Sequence, residues 1–128
     1  MGTERSAAVL FDADGVIQQT PVGWWEAWAE ICPDSHRVDE FREDLFMAER
    51  PFATLASGFE EAVAGVLDRW GCPERLADTL AMWEQLDPEP ASLEIVRAAR
   101  EGGSVVALAT NQQHVRARYM RTTLGYER

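Results

Sequence analysis

The chain has 128 residues, a formal net charge of -10, 46% apolar and 27% charged residues, the profile of one ordinary globular domain with enough apolar content for a core. The acidic balance argues against a nucleic-acid-binding surface, which needs clustered positive charge. No apolar stretch approaches the roughly 20 residues that span a bilayer, and residues 1–6 lack the apolar region of a signal peptide, so the sequence predicts a cytoplasmic protein with no membrane partner, in which Cys32 and Cys72 are reduced thiols.

The first predicted element is a strand, Ala7 to Phe11, whose short apolar run reads as buried in a parallel sheet. It ends abruptly in two carboxylates, Asp12 and Asp14, followed at once by Gly15. In open parallel sheets ligands gather at the carboxyl ends of the strands. Two carboxylates this close repel each other, and a cation that prefers oxygen ligands, such as Mg²⁺, relieves that repulsion.

Residues 22–86 read as helices only. Trp24, Trp25, Trp28 and Ile31 recur at helical spacing, a second helix spans Val38 to Ala48, and Phe59, Val63, Val66, Leu67 and Trp70 mark a third. Ser57 and Glu60 have the spacing of a capping box for that third helix. Gly71 and Pro73 separate it from a fourth, marked by Leu76, Leu80 and Trp83. The aromatic residues repeat at core spacing and are expected inside a helix bundle. Trp24 and Trp25, closest in sequence to the acidic pair, are the two that could close over a substrate. The loop between Glu49 and Ser57 is where substrate specificity is expected to sit.

Asp87-Pro-Glu-Pro90 ends the helical block. An amphipathic helix from Ala91 to Arg100 and a second buried strand from Ser104 to Ala109 follow, and Ile17–Val22 and Asp87–Ala91 are expected as hinges. Strand, crossover and parallel strand make a βαβ unit with a helical insertion. The second strand ends in Thr110-Asn111 before a helix from Gln112 to Leu124. A hydroxyl at a strand's carboxyl edge, backed by free N–H groups of a helix start, is a ready anion site; Thr-Asn is equally a good helix N-cap. His114, Arg116, Arg118 and Arg121 spread around this last helix and are expected as a solvated face.

Residues 9–16, Val-Leu-Phe-Asp-Ala-Asp-Gly-Val, resemble the first motif of the haloacid dehalogenase-like (HAD) hydrolases, D-x-D-G-[VTS] after an apolar strand. The strand ending in Thr110 and Asn111 looks like the family's second motif, and the resemblance runs along the whole chain. It implies an α/β fold with a Rossmann-like parallel-sheet core, residues 1–17 and 88–128, and an inserted α-helical cap, residues 18–87. It also implies a Mg²⁺-dependent phosphatase acting on a small phosphorylated metabolite. By the same resemblance Asp12 is the nucleophile that becomes an aspartyl-phosphate, and Asp14 is the acid/base residue. Thr110 and Asn111 hold the phosphate, and the Asp12 carboxylate with the Asp14 backbone carbonyl holds the metal. Family members that act on carbon–halogen bonds lack an acid at the position of Asp14, which favours phosphate esters.

The chain departs from the family pattern in two places. All twelve lysine-or-arginine residues are arginine, so the family's lysine motif has no usual counterpart, and arginine is no substitute for a compact point charge. The acidic pair that completes the family's metal site, contributed by later strands, also has no counterpart. The sequence therefore reads as the N-terminal part of a longer enzyme. The alternative is a non-catalytic HAD-like fragment that acts as a binding or interaction module. A reading outside the family is an acidic turn in an unrelated α/β domain. Two strands alone expose their edges and are expected to promote self-association.

Overall fold

Strand-like and helix-like apolar spacing fold into two separate kinds of structure. The computed structural model describes residues 8–126 except 56, 109 and 111. β1 (Ala8–Phe11) pairs in parallel with β4 (Val105–Leu108), with Ala8 opposite Val105 and Phe11 opposite Leu108. Parallel strands need a crossover, and α5 (Pro90–Glu101), which packs against β4, forms its last part. β2 (Gln18–Gln19) and β3 (Asp87–Pro88) pair antiparallel where two hinges are expected. Beside this ribbon the Glu89 N–H donates to the Ile17 carbonyl at 2.7 Å. Strands of two residues carry no readable period, which is why the ribbon was invisible in the sequence.

Between β2 and β3 run α1 (Trp24–Ile31), α2 (Val38–Glu49), α3 (Phe59–Arg69) and α4 (Leu76–Met82), and α6 (His114–Thr122) follows β4. The chain is thus mixed α/β, mainly helical, with a small parallel sheet. It divides into two compact units: Met1–Thr20 with Leu86–Thr110, and Pro21–Gln85 with Asn111–Arg128. Residues 111–128, read from sequence as part of the α/β core, group with the helices. The physical reason is that Val115 of α6 is buried in the helical core.

That core is aromatic. Trp83 meets Trp28 edge-on at 5.2 Å between ring centroids and Phe59 at 5.0 Å, the edge-to-face geometry that ring quadrupoles favour. Trp28, Phe41, Leu45, Phe59, Val63 and Leu67 complete the interior around them. The Trp24 indole N–H donates to the Met82 carbonyl at 2.7 Å, which fastens α1 to the end of α4. α3 stops in a Schellman motif: Gly71 takes φ 73°, the Cys72 N–H reaches the Leu67 carbonyl at 2.9 Å and the Gly71 N–H reaches Asp68 at 3.1 Å. Both cysteines are free and buried.

Three expectations are corrected. The strands are not buried: Leu10 is 67% exposed and Val105 60%, because a two-stranded sheet with one helix against it cannot cover both faces. The capping box does not form. Gly58, at φ 102°, is the N-cap of α3, with no side-chain cap bond, and Glu60 instead faces His114. The last helix begins at His114, capped by the Gln113 side chain, which accepts from the Arg116 N–H at 3.0 Å; Thr110 is therefore not its N-cap.

Trp83→Ala is expected to lower the unfolding free energy by about 3–5 kcal/mol, as for other large aromatic truncations in a core, whereas Leu10→Ala should change it by less than about 0.5 kcal/mol. Urea titrations of the two variants check this. Equal losses would mean that the strand face is covered in solution.

Burial pushes the Cys72 thiol above its ordinary value. The folded chain therefore holds that proton more tightly than the unfolded chain does. Its contribution to stability is complete below the ordinary thiol range and is lost as pH rises through the raised value. Iodoacetamide at about pH 8 should label Cys72 only slowly in the native protein and quickly once it is unfolded.

Candidate functional site: the acidic turn of the α/β unit

The chain leaves β1 through a turn built on one carbonyl group. Ala13 is buried, and its carbonyl accepts from the N–H groups of Val16, Ile17 and Gln18 at 3.2, 3.0 and 3.1 Å. The Gly15 N–H closes the turn onto the Gln18 carbonyl at 2.8 Å. Gly15 stands at φ 76°, a region costly for any residue with a Cβ, which accounts for glycine after the second acid. With Ala13 held inside, Asp12 and Asp14 on either side of it are turned out and exposed.

Each carboxylate has a local partner. Asp12 Oδ1 accepts from the Ala13 N–H at 2.8 Å. Asp14 Oδ1 accepts from the Gln18 side-chain amide at 3.0 Å. Gln18 is fully buried, so the group that orients Asp14 is itself fixed. Sequence reasoning missed Gln18. Its only signal was a polar residue directly after Ile17, inside a segment read as a hinge.

Thr110 follows the partner strand. Because Phe11 lies opposite Leu108 in a parallel pair, the ends of β1 and β4 share one edge, and Asp12 and Thr110 both follow the paired residues there. Thr110 is half-buried. Asn111 lies outside the described residues. The α6 helix, expected to present N–H groups beside Thr110, belongs to the helical unit, and its Arg116 N–H is already taken by Gln113.

The basic residues near the C-terminus do not form one solvated face. Arg118 and Arg121 are exposed, but Arg116 is buried and His114 half-buried. His114 Nε2 lies 3.2 Å from Glu60 Oε1, and the ring meets Phe59 edge-on. Gln113 also donates to Glu49 at 3.3 Å. These pairs tie α6 to α2 and α3 and are explained by packing.

Among the described residues no group of three or more His, Cys, Asp or Glu side chains is placed to hold a metal ion, and no helix is long and apolar enough to cross a membrane. Of the two tryptophans considered as lids, Trp24 is buried in the helical core and Trp25 is half exposed. No family model matches the chain, and no curated protein is significantly similar to it.

Proposed function

We propose that the chain carries HAD-like phosphatase chemistry, acting on a small phosphorylated metabolite through an aspartyl-phosphate at Asp12. The observation that carries this reading is the acidic turn: two exposed carboxylates separated by a buried Ala13, at the end of a strand paired in parallel with the one that leads to Thr110. A Rossmann-like core is the finer fold that this reading carries with it, of which β1, α5 and β4 would be one crossover.

In the proposed reaction an Asp12 carboxylate oxygen bonds to phosphorus as the bond from phosphorus to the leaving oxygen breaks. Asp14 gives that oxygen its proton, then takes a proton from the water that hydrolyses the acyl phosphate. The Thr110 hydroxyl would donate to a nonbridging oxygen of the phosphoryl group as it moves to Asp12, a role the Asn111 amide would share. Gln18 acts through Asp14 by fixing its Oδ1 as an acceptor.

Mg²⁺ suits the donor chemistry, which is oxygen only, and the exposure of both acids leaves room for the waters this ion retains. The Asp12 carboxylate and the Asp14 backbone carbonyl would hold it, and bound there it offsets negative charge so that one anion can approach another. With no third acid in the group among the described residues, the ion should be held weakly.

A non-catalytic binding module is the second reading. The specific observation in its favour is that the sequence contains no lysine to steady the nucleophile and phosphate.

Release of p-nitrophenol from p-nitrophenyl phosphate in excess Mg²⁺ separates the two. The phosphatase reading expects slow turnover that falls to background in Asp12→Asn, since groups in such sites act as a unit. Turnover that survives Asp12→Asn overturns it. Phosphate binding without turnover supports the module.

A further inference from the structure

The helical unit has a cleft of its own, lined by α1, α2 and the turn that follows α2, with a volume of about 380 Å³, within the range of small-molecule sites. One wall is apolar and flat. Trp25 is 50% exposed and stacks on Phe46 with ring centroids 5.5 Å apart and planes 17° from parallel; Met47, 53% exposed, continues the wall. Phe46 and Arg42 pack Trp25 against α2, yet half of the indole stays open to the cleft.

The charges in the cleft fall into a committed pair and an uncommitted pair. Arg42 is committed: it is ion-paired with Asp39, donates to the Trp25 carbonyl at 2.8 Å, and lies over the Trp25 ring at 4.4 Å. It thereby holds the indole in place. Glu43 and Arg50 are exposed, and their side chains make no ion pair or hydrogen bond among the described residues. Both line the cleft, together with Met47, from one helical face at spacings of four and three residues.

A simple anion placed on the indole would gain Arg50 but meet Glu43, and a simple cation the reverse. A ligand with a flat apolar body and both charges satisfies the two together. We propose that this cleft binds a small aromatic zwitterion of the α-amino-acid class. The ring lies on Trp25 and Met47, the carboxylate is taken by Arg50 and the ammonium by Glu43. Arg50 is well suited to its part, since guanidinium matches carboxylate geometry with two parallel donors. The inference is independent of the chemistry assigned to Asp12.

Titration calorimetry of the full chain with three probes of one ring system tests it: L-tryptophan, tryptamine, which lacks the carboxylate, and indole-3-propionate, which lacks the ammonium. L-tryptophan should bind, with each singly charged analogue about tenfold weaker or worse, the scale of one lost charge-assisted hydrogen bond. Arg50→Gln should remove the preference over tryptamine, and Glu43→Gln the preference over indole-3-propionate. Both positions are exposed, so these variants should keep the wild-type circular dichroism. Equal binding of the three probes, or no binding of L-tryptophan at millimolar concentration, overturns the proposal. So does concentration-dependent dimerisation that is lost in Trp25→Ala, which would give the cleft to a second copy of the chain.

Discussion

Gln18 is the residue on which the acidic turn depends. Its backbone N–H goes to Ala13 and its carbonyl receives the Gly15 N–H, so it closes the turn from both sides. Its backbone pairs with Pro88, which joins the turn to the strand where the chain returns from the helices. Its side chain, fully buried, holds Asp14. One residue thus links the return of the chain to the orientation of a carboxylate. A buried amide is costly unless bonded, so the bond to Asp14 also stabilises the turn that presents the acid.

The helical unit is organised by a different force. Trp83, Trp28 and Phe59 meet edge to face inside it, and each buries a large apolar area. Around them the amphipathic spacing of α1, α2 and α3 turns one stripe of each helix inward. The α/β unit has no comparable interior among its described strands, since Leu10 and Val105 are open and α5 has no buried residue. Its buried apolar residues are Ala13, Ile17 and Leu86, in the turn and at the chain's return, and backbone pairing supports the strands. Open strand edges of this kind invite pairing with other chains.

What the sequence revealed follows from which signals are periodic. Helices at Trp24, Val38, Phe59 and Leu76, and strands at Ala8 and Val105, lie where apolar spacing and glycine or proline punctuation put them. Burial of the strands was misread because an apolar run states what a residue prefers, not whether the chain supplies a cover. The Ser57–Glu60 box failed because Gly58 could adopt φ 102° and start the helix one residue later. The places of Asp12, Asp14 and Thr110 after the two parallel strands were legible, because the apolar runs that precede them mark where the strands end. Gln18, Glu43 and Arg50 were not, because their roles come from what they face after folding.

In the proposed phosphatase reaction Asp12 forms a covalent bond to phosphorus. Acid quenching during incubation with excess p-nitrophenyl phosphate and Mg²⁺, followed by borohydride reduction and peptide mass spectrometry, tests it directly, because borohydride converts an aspartyl-phosphate to homoserine. Homoserine is expected in place of Asp12, with Asp14 unchanged. Steady turnover with Asp12 unmodified, or modification at another residue, would contradict it.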